Sequence, residues 1–442
     1  MRRTLALIVA GSCLAPAPAC AAAFELREFS ATAQGTAYAG AAANPNDPAS
    51  LFYNPATLGG VNNYDASIDL SGLLLGSSGT FAGTTAAGTP AGGPPVIHGF
   101  IASALLPAVA LRYRIDDEWA VGVTFTTPFG EGTDYPPRWT GRYFAVSTDL
   151  VAYNATPVVS WSPLPELTFA AGAQIDYVRA FLTQAIDFGT IGAAAHIPGA
   201  IPGAFDGAAN VHGHAWGAGW VIGALWQPTG ALSFGLSYRS RIGHGLQGME
   251  TFTYDTGGIA ATINHFTGAF TDAVGNASLN LPAQATFGSR WRFAAGLTLL
   301  TQFEYTNWSS FRQLLVVSSN PANPPNLSVA DWKDTWFGGL GLEYRPDEEW
   351  TVRAGTAFDE TAIPKENVSP RIPDADRYWV SAGVGYRMNG FSDLDFAISH
   401  LFAPHSTIQQ SVLQPGNAAL GSLDGVSNSS ATLISLQLVL HA

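Results

Sequence analysis

Few residues in this chain have the types and spacing that chemistry needs. His212-Gly213-His214 puts two imidazoles on one face of an extended segment, a spacing that suits a metal, but no third ligand stands near them in sequence. The segment therefore reads as a strand edge. The other histidines are scattered and none sits in a recognisable nucleophile motif, so a Ser-His-Asp hydrolase lacks its parts. Gly-x-Gly repeats lie inside alternating segments and have no phosphate-loop context. The expectation is a protein that is not an enzyme and has no metal or cofactor.

The elements that would position any site come from the alternation. The chain is 47% hydrophobic and only 12% charged. Yet past the first residues no stretch approaches the roughly 18 to 20 apolar residues of a spanning helix. Hydrophobicity must be spread over one face of strands. Leu232, Phe234, Leu236 and Tyr238 share a face, with Ser233, Gly235 and Ser237 opposite. Trp336, Leu340, Leu342 and Tyr344 oppose Phe337, Gly339, Gly341 and Glu343. Tyr378, Val380, Ala382, Val384 and Tyr386 oppose Trp379, Ser381, Gly383 and Gly385. A soluble sandwich would carry many more charges on its second face. Here that face is rich in glycine and serine, as a hydrated lumen would want.

Six turns flanked by aromatics set the strand count: YRIDDEW (113–119), WSPLPEL (161–167), WQPTGAL (226–232), SRWRF (289–293), YRPDEEW (344–350) and YRMNGFSDL (386–394). Rings beside tight turns suit the interfacial girdle of a membrane barrel. With a strand pair before the first turn and after the last, the count is fourteen. The expected strands are 64–75, 99–114, 119–129, 148–161, 167–180, 213–227, 231–243, 276–288, 291–306, 334–345, 349–359, 376–388, 393–402 and 431–441. The fold class is all-β, a transmembrane antiparallel barrel. The connections 181–212, 244–275, 307–333 and 403–430 become outer loops.

Arg2 and Arg3, the apolar run Leu5–Ala15 and small residues to Ala23 form a secretory signal peptide over 1–23, cleaved between 21 and 23. Both cysteines, Cys13 and Cys20, fall inside it. The alternative of a lipid-anchored Cys20 lacks the leucine such a site prefers. The chain has 20 Lys+Arg and 33 Asp+Glu; without Arg2 and Arg3, 18 against 33 leaves −15. Nucleic acid is not an expected partner. Residues 24–63 precede the first strand, and a barrel of about fourteen strands is too wide for wall side chains to fill. A luminal plug over 24–63 is expected, leaving 64–442 as the barrel.

FELREFSATAQGTAYAG (24–40) followed by LFYNPATLGG (51–60) resembles the N-terminal hatch of the FadL/TodX family of outer-membrane transporters. WGAGW (216–220), SYRS (237–240), LNLP (279–282), TNWSSF (306–311), AFDETAIP (357–364) and IPDADRYW (372–379) are similar to that family in the same order. The resemblance implies import of a hydrophobic small molecule, a long-chain fatty acid or a hydrocarbon, through a plugged monomeric barrel set in outer-membrane lipid and lipopolysaccharide. Monoaromatic hydrocarbon uptake is the alternative, and a passive porin a weaker one. The resemblance further implies that Phe24 and Arg179 contact substrate and that Asn54-Pro55-Ala56 is the hatch motif. It places a lateral opening at Pro128-Phe129-Gly130, against which the hatch motif would pack. On its own residues Pro128 reads better as the end of a strand. A second basic position of the fatty-acid branch aligns with Leu315, leaving a carboxylate clamp open to doubt. The ending Leu440-His441-Ala442 departs from the usual terminal aromatic.

Overall fold

Alternating segments separated by tight turns pair with their sequence neighbours, because a hairpin closes with the least loop entropy. A computed structural model describes residues 24–441. The expected signal peptide, with both cysteines, lies outside the described residues, as does Ala442. The wall is built from β1 (Tyr64–Thr84), β2 (Ala104–Arg114), β3 (Trp119–Asp134), β4 (Ser147–Leu164), β5 (Leu167–Asp187) and β6 (Asp206–Thr229). β7 follows in two pieces, Leu232–Arg239 and Ile242–Thr253, and β8 likewise, Ala273–Leu281 and Gln284–Ala294. Then come β9 (Leu297–Thr306), β10 (Thr335–Tyr344), β11 (Trp350–Asp359), β12 (Arg377–Asn389), β13 (Ser392–Phe402) and β14 (Ser422–His441). Each strand runs antiparallel to the next, and β14 closes on β1 from Asp65↔His441 to Thr84↔Ser422. The barrel has fourteen strands, as the turns implied.

Boundaries moved at the outer ends. β1 reaches Thr84 rather than 75, and β14 begins at Ser422 rather than 431. The turn expected at 289–293 is displaced. Trp291 and Phe293 remain in β8, and the chain reverses at Ala295-Gly296, where Gly296 adopts φ +72°. Girdle aromatics mark the ends of strands, and this turn, unlike the others, needed a left-handed glycine. The outer connections are not bare loops. Helices Phe188–Ala194 and Ile259–Thr267 pack together through Phe188, Ile259 and Ile263, and Gln313–Ser318 pairs with Asn326–Val329.

The exposed face is apolar: Ile68, Leu70, Leu111, Val121, Leu340, Val380, Phe396 and Leu436 all stand outward. Paired rings mark the turn end, with Trp119–Trp161 centroids 6.3 Å apart and Trp350–Tyr386 4.6 Å apart. An apolar outside with polar residues turned inward fits lipid as solvent.

The inward glycines have a different cause from the one expected. They do not line water; they receive the backbone of residues 24–63, nearly all buried in the lumen. A Cβ on Gly383 would lie 2.8 Å from Gly35 Cα, and one on Gly235 would collide with the Ala42 carbonyl. The unusual C-terminus also has a role. His441 bonds Asp65 of β1 at 3.2 Å and Asp393 of β13 at 3.3 Å, bridging the strands on either side of β14 at the closing seam.

Candidate functional site

The plug is fixed by buried charges and caps. Arg27 meets Glu304 at 2.8 Å, Glu25 at 3.3 Å and Asp359 at 3.6 Å, and its guanidinium lies 4.1 Å from the Phe337 ring centroid. Arg112 of β2 reaches Asp65 at 2.5 Å and the Pro45 and Thr57 carbonyls. Arg239 donates to the Phe52 carbonyl at 2.6 Å and stacks on its ring. Asn54 caps the 3₁₀ turn Pro55–Gly60 by accepting from Ala56 N–H at 3.0 Å. Its amide donates to the Ala42 carbonyl at 2.8 Å and to that of Ala224 in β6 at 3.0 Å. Asparagine before proline suits this place, since it supplies a cap to a turn whose first residue has no N–H of its own.

Asn54-Pro55-Ala56 therefore packs on Gly223 and Ala224 of β6 and Gly235 of β7. It does not sit at Pro128, as expected. The wall there is met by the first three described residues. β3 pairs with β2 only from Ala120 to Phe125. Beyond that, the register against β4 shifts between Thr126 and Phe129, so Thr127 and Pro128 form a bulge. β3 turns inward, and Ala104–Ala108 of β2 keep β1 as their ladder partner. Strand contact resumes further out, at Ile101↔Thr133. Residues 24–26 fill this interruption: Leu26 N–H donates to the Pro128 carbonyl and Gly130 N–H to the Phe24 carbonyl, each at 2.8 Å. Leu26 and Leu106 are both buried in one apolar cluster at the gap. Pro157 interrupts the other ladder of β4, against β5, without changing its register.

Just above the bulge the Phe24 ring is caged by aromatics. Trp308 lies at 4.9 Å, Trp332 at 5.3 Å, Phe129 at 5.8 Å and Phe311 at 6.0 Å between centroids. Such contacts contribute about 0.5–1.5 kcal/mol each beyond burial. Phe24, Phe311 and Trp332 of this cage form one end of a cavity of ≈ 100 Å³, otherwise walled by Leu150, Leu182, Leu246, Leu279 and Val316 among others. Phe24 thus lines an apolar cavity.

Arg179 does not. Its neighbours Ala180 and Leu182 line the cavity, so alternation along β5 turns Arg179 to the other face, 3.9 Å from Asp149. Leu315 borders a separate groove. The basic residue that does line the cavity is Arg371, from the connection between β11 and β12. Sequence reading missed it, and it missed Trp308 and Trp332, because all three lie outside alternating segments. Their signal was bulky or charged residues inside Asn- and Pro-rich connections. His212 and His214 project from one face of β6, and no cluster suited to a metal exists among the described residues.

An apolar cavity ending on a plug tip that occupies a break in the wall is an arrangement for moving an apolar molecule. Comparison with known proteins agrees. The chain is 28% identical over 406 residues to a long-chain fatty acid transport protein of Salmonella typhi, covering 89% of this chain and 90% of that one. It is 24% identical over 433 residues to outer membrane protein P1 of Haemophilus influenzae, covering 89% of each. A Pseudomonas aeruginosa FadL homologue of known structure matches with TM-score 0.86 at 26% identity, over 95% of this chain and 100% of that one. The Ralstonia pickettii toluene transporter TbuX shares the fold, with TM-score 0.64 at 20% identity over 94% of this chain and 99% of its own. The family model for outer membrane protein transport proteins (OMPP1/FadL/TodX) matches residues 12–441, and the chain belongs to that family.

Proposed function

We propose that this outer-membrane barrel imports hydrophobic small molecules, binding them in the cavity above Phe24 and releasing them sideways where β3 leaves β2. The observation that carries this reading is the adjacency of cavity, plug tip and wall interruption, with Phe24 facing the first and its backbone filling the last. Each CH₂ moved from water into an apolar site gains about 0.8 kcal/mol. An open aqueous pore gives such a solute little advantage, and the filled lumen speaks against a passive porin. A sideways route delivers the molecule to lipid without returning it to water. The ladder closes within one chain, which suits a monomer in lipid and lipopolysaccharide.

Relatives named as long-chain fatty acid transport proteins favour a long-chain substrate over a monoaromatic one. The test is mass spectrometry of molecules that co-purify with the detergent-solubilised protein. Long acyl or alkyl chains are expected at about one per barrel. Recovery of only detergent and lipopolysaccharide, from cells grown on fatty acids, would sink the reading.

A further inference from the structure

We infer that Arg371, not Arg179, is the residue that pairs with a carboxylate head in the cavity. The inference rests on the cavity being the substrate site. Four lumen arginines show what an ordinary buried guanidinium has here. Arg27, Arg112, Arg290 and Arg353 each have a carboxylate within 3.2 Å. Arg239 lacks one at that range, but the Phe52 ring and carbonyl cover it.

Arg371 differs. Its bonds go to neutral acceptors: Gln184 Oε1 at 2.8 Å, the carbonyls of Ser147 at 3.2 Å and Thr183 at 3.5 Å, and Thr148 Oγ1 at 3.4 Å. Among the described residues no carboxylate stands within ion-pair distance of it. It is only partly covered, and it borders the cavity. Burial pulls its guanidinium down to about 10, which leaves it charged at neutral pH. The acid in the cavity lining, Glu131, also borders a second cavity together with Arg377. A planar fork with neutral partners beside an apolar chamber matches a single carboxylate.

Position along the wall adds the second half of the argument. Arg371 bonds Ser147 and Thr148 on β4, whereas Phe129 of the aromatic cage pairs with Ala152. The interval from 148 to 152 is roughly 13 Å at about 3.3 Å per residue. The cavity therefore has a cationic outer end and an aromatic inner end, the polarity of an amphiphile with its head outward and its chain toward the gap.

The experiment is binding of oleate and of oleyl alcohol to the purified full chain, wild type and variants. Arg371→Gln should weaken oleate about tenfold or more, as expected for losing a charge-assisted pair, and leave oleyl alcohol within about twofold. Arg371→Lys should restore most of the oleate affinity, and Arg179→Gln should change neither probe. Retained alcohol binding shows that the variant is folded. Equal weakening of both probes in Arg371→Gln, or no weakening of oleate, overturns the role of Arg371. If the wild type binds neither probe saturably, the cavity is not the substrate site and the inference falls with it.

Discussion

The wall is broken at Pro128 and again at Pro282, and these two breaks are different objects. At Pro128 the register against β4 shifts, β3 parts from β2, and the plug takes over the freed strand edge. At Pro282 both β7 and β8 are interrupted between their pieces, yet their mutual register is the same on either side. There the outer halves pair as one hairpin, and β7 loses β6 between Val221 and His214. Ser240 spans part of that space, donating its N–H to the Trp220 carbonyl and accepting from Trp220 N–H, both at 2.9 Å. Proline alone, then, does not decide how a break in the wall is filled. β7 also shifts by one residue against β6 across its gap, so what sets the first break apart is that a separate segment, not the wall itself, satisfies the exposed edge.

The largest expected effect follows from healing the first break. In the double variant Pro128→Val with Gly130→Val, position 128 regains a ladder donor. A side chain at 130 would begin 3.0 Å from Leu26 Cδ1, pressing the plug tip out of its seat. Uptake of radiolabelled fatty acid by cells should drop to background while binding to the purified barrel persists. Normal uptake by this variant would mean that the route runs past the plug down the lumen.

Next in size is the body of the plug, which must stay seated while its tip serves the gap. Arg27→Met leaves Glu25, Glu304 and Asp359 without their shared cation. Breaking a buried pair in this way costs about 3–5 kcal/mol, so the thermal unfolding midpoint of the purified barrel should fall clearly. Cells should also admit small polar solutes faster as the plug loosens. An unchanged midpoint and unchanged permeability would show that the hydrogen bonds of Asn54 and Arg112 suffice to hold it.

The contrast also explains what could be read in advance. Strand number, order and face were legible because period-two alternation is a local property repeated through the chain. Residues 24–63 were legible as a plug from barrel width and their own small, turn-rich composition. Partners were not. Nothing near Asn54 in sequence says that it meets Ala224 rather than Pro128. Arg179 was misplaced because a one-residue step along a strand changes its face, and resemblance at a single position does not fix that parity. Arg371 lies in an irregular connection, where no period says which way a side chain points. Gly235 and Gly383 were visible, but their cause, a close backbone approach from the plug, exists only in three dimensions.

The smallest expected effect belongs to Pro282, and it is the sharpest test of the comparison. If proline as such opened the wall, Pro282→Ala should tighten the barrel and alter transport as strongly as any change at 128. The geometry argues otherwise. Ile242↔Leu281 and Arg239↔Gln284 already hold a common register, so a restored N–H at 282 has no shift to correct. Ala283 accepts from Asn307 N–H at 2.9 Å, and Ser240 ties Trp220, so contacts independent of the proline ring keep the outer hairpin where it is. Surface-like substitutions of this kind usually stay within about 0.5 kcal/mol. Uptake and oleate affinity in Pro282→Ala should therefore remain within about twofold of wild type, the change that about 0.4 kcal/mol produces. A loss of uptake comparable to that of the Pro128 double variant would show that the two breaks act together, with the β7–β8 hairpin as part of the route.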